Sequence, residues 1–379
     1  MPSHLPYIAI SAFDIIALAA VIGSVAAGLW IIPEGARECF HRPLWRLTGA
    51  SLGVLTASSL LLLVGRTLEM SRQPLHDLGH WLPLVVHETS FGHIWMVRPM
   101  MLIVAWVAWL MSRRPSHHRA AYGVFLATAV IAFTRSATGH PADQGQWTAP
   151  EWVDWVHLIF ASIWAGGLFA TTVAIFPSLP QAPLAPTIRR ALVERLSFVA
   201  AVALAAILVT GILSAYHYLG GFAPLFHSAY GHILLVKLGL VAIAVALGAT
   251  NRFVFVPQIR AASDKQKAIP GATDKTGAQA LSRLRRSVTI ETVFLTAVLI
   301  AAAALLHGMP PRERNSAMGG TMARATQPMG RLEAARFESR ETSRLAPSLS
   351  TIRYGVLHRS MPGTDNAPAL AVPFGQMSL

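Results

Sequence analysis

The chain has 379 residues, of which 53% are hydrophobic and only 13% charged, with a formal net charge of +13. A water-soluble domain carries about 25% charged residues, so this composition excludes a soluble globular protein and puts most of the chain in lipid. The single cysteine, Cys39, excludes an intrachain disulfide and a cysteine-based metal cluster.

Crossing ~30 Å of hydrocarbon takes about 20 apolar residues. In chain order the stretches that qualify are 7–32, 46–69, 93–112, 119–138, 152–176, 196–219, 229–250 and 286–307. The first resembles a secretory signal, but Asp14 interrupts it and no small-residue cleavage site follows, so it is read as a retained helix. The expected fold class is all-α, a polytopic membrane bundle of about eight transmembrane helices. We expect an N-terminal four-helix half at 1–138, a second four-helix half at 139–307, and a tail at 308–379. The tail is polar, contains Met and Arg, lacks apolar periodicity and reads as disordered.

Basic residues orient the bundle. The first, third, fifth and seventh loops carry seventeen Lys and Arg, against only Arg66, Arg72 and Arg135 in the others. Loops rich in Lys and Arg stay in the cytoplasm, so both termini are expected outside. The positive charge is thus an orientation signal and not a nucleic-acid footprint.

On this topology twelve of the fifteen histidines fall outside, and only His41, His117 and His118 inside. Neutral imidazole is the commonest metal ligand, which marks the outer face as the chemical one. On the third span His93, Met96 and Met100 are spaced i, i+3, i+7 and share one helical face. Imidazole with thioether suits copper in either oxidation state, although Met on such a face also packs or meets lipid. Arg98 beside them must find an acceptor or snorkel.

On the fifth span Asp154 and His157 are three residues apart, so the carboxylate is placed to orient the imidazole. Trp152 and Trp155 fit an aromatic belt, and Gly166-Gly167 would let a neighbouring helix approach closely. Three further ionisable groups lie inside spans: Asp14, Lys237 and Glu291. Asp14 and Lys237 fall at similar depths and are expected to neutralise each other, while Arg252 or Arg286 is the expected partner of Glu291. No nucleophile-and-base pair and no phosphate-cradling loop is visible, so the chain does not read as an enzyme.

Several stretches resemble the bacterial CopD/PcoD copper-resistance membrane proteins. They are SATGHPADQG (136–145), DWVHLIFASIWAGGLFA (154–170), ERLSFVAAVALAAILVTGILSAYHYLG (194–220), SAYGHILLVKLGLVAIAVALGATNR (228–252) and RRSVTIETVFLTAVLIAAAALLHGMPP (285–311). TSFGHIWMVRP (89–99) matches more loosely. The resemblance implies a multi-pass inner-membrane protein that moves copper ions, Cu(I) or Cu(II), from periplasm to cytoplasm in copper homeostasis or resistance. A separate periplasmic copper carrier of the CopC type would be its donor. The family's outer metal positions would fall at His140 and His157, with Lys237 and Glu291 as intramembrane polar residues. Two rival readings are a membrane b-type cytochrome with bis-His haem, pairing His157 and His217, and a non-transporting copper chaperone or assembly scaffold.

Overall fold

In lipid a backbone without charged side chains has one open-chain way to satisfy its own N–H and C=O groups, the α-helix. The computed structural model describes residues 5–138, 148–182, 184–219, 223–268 and 275–306, and these form helices and short connections without a strand. His140 and the tail lie outside the described residues.

In order, α1 (Leu5–Ala26) ends in a π-helical turn, followed by α2 (Arg37–Ser71), the short α3 (Leu78–Glu88), α4 (Ser90–Met111) and α5 (Ala120–Ser136). Next, α6 (Ala149–Ala170) passes through a second π-turn into α7 (Phe176–Ser178) and leads to α8 (Pro186–Leu219) and α9 (Ala223–His227). The rest comprises α10 (Ala229–Thr250), a third π-turn, α11 (Val256–Ala268) and α12 (Lys275–Leu305). Among the described residues seven helical segments are long and apolar enough to cross a membrane, and α5 is a shorter apolar one. These follow the expected spans in order, and the chain is an all-α polytopic membrane protein.

The packing repeats. α1 lies on α2 as α6 lies on α8, and α4 lies on α5 as α10 lies on α12. Likewise α1 touches α5 and α12, while α6 touches α12 and α5. The two sets of four spans meet where α1 crosses α6. There the backbones are in contact: a Cβ on Gly23 would overlap Gly166 and Gly167, and one on Gly166 would overlap the Ala19 carbonyl. Small residues permit such an approach, and in lipid close van der Waals packing drives helix association.

The repeat reaches single residues at the starts of α4 and α10. Thr89 accepts from Gly92 N–H at 3.0 Å, and Ser228 accepts from Gly231 N–H at 2.9 Å, an identical N-cap. The next residue, His93 or His232, places Nε2 2.9 Å from a carbonyl six residues back, that of His87 or Phe226. Five residues further each helix carries one buried or half-buried cation, Arg98 or Lys237.

Candidate metal site

The first set of spans holds a closed charge cluster. Asp14 is fully buried, and its Oδ1 accepts from Arg98 Nη2 at 2.5 Å and from Ser58 Oγ at 3.0 Å. Its Oδ2 accepts from Arg135 Nη1 at 2.6 Å, while Arg135 Nη2 reaches Ser11 Oγ at 2.8 Å. Arg98 is 1% exposed, donates Nε to Ser59 Oγ at 2.9 Å and stacks over the Trp95 ring at 4.8 Å. The expected pairing of Asp14 with Lys237 is therefore corrected. Similar depth along two helices leaves their rotation undetermined, and α4 and α5 turn their arginines toward Asp14. Arg98 has found its acceptor inside the bundle rather than by snorkelling.

The second set holds an open cluster at the corresponding level. His157 and Lys237 each lie about 12 Å along their helices, α6 and α10. His157 Nδ1 is 2.9 Å from Thr210 Oγ1 on α8. That hydroxyl has one hydrogen, which it donates to the Ala206 carbonyl at 2.7 Å, so it accepts from the imidazole. The imidazole also has a hydrogen bond to the Ile207 backbone, and the Thr210 contact assigns the hydrogen of neutral His157 to Nδ1, with the lone pair on Nε2. This is the arrangement of a metal-binding imidazole, whose other nitrogen is held by an outer partner. The partner expected here was Asp154; the structure supplies Thr210, because α8 packs against α6 beside His157. Asp154 Oδ2 accepts from Ser136 Oγ at 2.7 Å. Lys237 is within electrostatic reach of both Asp154 and His157.

The remaining expected residues are dispersed. His93, Met96 and Met100 do share one face of α4, but it is the outward one, with Met96 44% and Met100 61% exposed. Trp155 donates Nε1 to the Ala129 carbonyl at 2.8 Å and packs edge-on to Trp152, which ties α6 to α5. His217 stands seven residues beyond Thr210 on α8, about 10 Å further along the axis, so it and His157 sit at different depths.

Glu291 is buried on α12, where it meets neither expected arginine. It accepts from Trp164 Nε1 at 3.2 Å and from Asn251 Nδ2 at 2.9 Å. Arg252 turns instead to the carbonyl and hydroxyl of Ser197. The helix leaves its α-helical winding at Asn251, where the π-turn begins, and this rotates Asn251 inward and its neighbour Arg252 outward. Among the described residues no group of three or more His, Cys, Asp or Glu converges on one point.

Comparison with known proteins adds a family. The model for copper resistance protein D matches residues 190–305, and that for the N-terminal domain of copper resistance protein D-like proteins matches 1–149. The inner membrane protein YebZ of Escherichia coli is 26% identical over 268 residues, covering 70% of this chain and 88% of that protein. Copper resistance protein D of Pseudomonas syringae pv. tomato is 27% identical over 221 residues, 57% of this chain and 70% of that protein. The copper transport protein CutJ of Bacillus subtilis is 30% identical over 168 residues, 43% of this chain. The chain spans only 30% of the length of CutJ. No solved structure matches.

Proposed function

We propose, because this chain belongs to the copper resistance protein D family, that it is a permease carrying copper ions inward across a bacterial inner membrane. Both termini then face the periplasm, and a CopC-like carrier delivers the ion there. The observation that carries this reading is the imidazole of His157, held through Nδ1 by Thr210 with its Nε2 lone pair open.

His140 completes the proposed outer ligand set by chain reach. It follows Ser136 by four residues, a span of at most about 14 Å, and Ser136 is bonded to Asp154, one turn before His157. Asp154 and Lys237 set the local charge: the carboxylate attracts an arriving cation, and the ammonium disfavours its staying. His93, Met96 and Met100 are assigned the outer role of first capture at the bundle's surface.

Substituting both His140 and His157 with Ala abolishes copper-dependent accumulation in cells, on this account. Undiminished uptake in a double variant present in the membrane at normal amount contradicts the proposed site.

A further inference from the structure

The second set of spans contains a cavity of about 240 Å³ bounded by α6, α8, α10, the following π-turn, α11 and α12. Its walls are mostly apolar, among them Leu168, Val193, Leu204 and Val245, and its polar side chains are Glu291, Asn251, Ser197 and Arg252, the last bonded to Ser197. Glu291 is only 2% exposed, and among the described residues it has no ion-pair partner. Both of its oxygens accept from neutral donors. Asn251 is 8% exposed, and its Oδ1 is buried without a hydrogen-bond partner among the described residues. A buried carboxylate lacking a counter-charge is costly, and so is a buried acceptor lacking a donor. One bound cation would resolve both.

The repeat shows that this space is much larger in the second set than in the first. Sixteen residues after the capping histidine stands Trp109 in the first set and Gly248 in the second. Trp109 stacks on Trp45 at 4.2 Å between ring centroids, and the corresponding cavity, lined by Ser24, Thr48 and Ser112, is about 80 Å³. Gly248 leaves the volume open beside the carboxylate, for a Cβ there would lie 3.2 Å from Glu291 Oε1.

The cavity also lies on a line with the outer cluster. From His157 to Trp164 is seven residues of α6, about 10 Å, and from Lys237 to Gly248 eleven residues of α10, about 16 Å. The helices α6, α8 and α10 that carry His157, Thr210 and Lys237 therefore wall the cavity one to three turns deeper. α8 and α10 make little direct contact with each other, so a seam separates them.

We infer that this cavity is a second cation site, in which the Glu291 carboxylate and the Asn251 amide oxygen hold the ion after it leaves His157. The inference rests on the copper reading above. Oxygen donors of this kind suit a hard or borderline divalent cation such as Cu(II) more than Cu(I). Lys237, at the level of His157, opposes an ion's staying at the outer site.

The test is equilibrium dialysis of Cu(II) alone against the purified full chain in detergent. Glu291→Gln keeps the shape of the side chain and loses one bound equivalent relative to the unmodified chain. Asn251→Asp adds a carboxylate and binds that equivalent about tenfold more tightly, a gain that misfolding cannot produce. An unchanged stoichiometry in Glu291→Gln, or unchanged or weaker binding in Asn251→Asp, overturns the inference. A chain that shows both predicted responses yet carries no copper into vesicles defeats the transport reading and leaves the cation site standing.

Discussion

The two sets of spans place ionisable groups at the same level and finish them differently. In the first, Asp14 takes two arginines and two serines, and its oxygens are filled. In the second, the hydrogen-bond network leaves the lone pair of His157 on Nε2, Lys237 meets Asp154 and His157 only electrostatically among the described residues, and Glu291 lines a cavity. A saturated cluster inside a bundle fixes helix positions, since any rearrangement would strand a charge in lipid. An unsaturated one has capacity for an incoming ion. The same packing scheme thus serves as a brace on one side and as a site on the other.

The sharpest way to break this contrast is Asp14→Ala, which strands Arg98 and Arg135. Removing one partner from a buried ion pair costs about 3–5 kcal/mol, so the variant should melt far earlier in detergent and yield little folded protein. Lys237→Met should lose no stability in the same thermal melt; equal losses in the two variants would erase the distinction. Next is the seam itself: Gly166→Leu inserts a side chain where the α1 and α6 backbones touch. Overpacking of this kind costs about 1–3 kcal/mol, again read from the melt.

Thr210→Ala probes the site rather than the brace. Loss of an outer partner lowers metal affinity about 10–100-fold, measured by copper titration, with Thr210→Ser restoring it and the melting temperature unchanged. The smallest effect concerns the repeated caps. His93→Ala and His232→Ala each remove one side-chain bond to a carbonyl and should cost about 0.5–1.5 kcal/mol. The two losses should be alike in denaturation, because the two bonds are geometrically the same.

Much of the frame was legible in the sequence because lipid tolerates so few solutions. Apolar length located the spans in order, and the Gly166-Gly167 pair marked a helix crossing that the structure puts against Gly23 and Ala19. What depth along a helix cannot give is rotation about its axis. For that reason Asp14 was matched to Lys237, although Arg98 and Arg135 are the groups turned toward it. Arg135 read as a loop residue, yet a long side chain at a helix end reaches inward as readily as outward. Thr210 carried no signal, because a lone Thr in an apolar helix usually bonds its own backbone, as Thr210 also does. Asn251 and Trp164 were likewise hidden, since a π-turn decides which way Asn251 faces. Aligning the two Gly-His starts would have exposed the repeat, and with it the exchange of Trp109 for Gly248.

The most direct measurement is copper flux into proteoliposomes for His157→Ala beside His41→Ala, one variant from each set of spans; His41 is bonded to the Ser112 carbonyl and has no part in the proposed route. If the route runs through the second set, His157→Ala stops flux while His41→Ala retains most of it. Wild-type flux through His157→Ala would contradict the account.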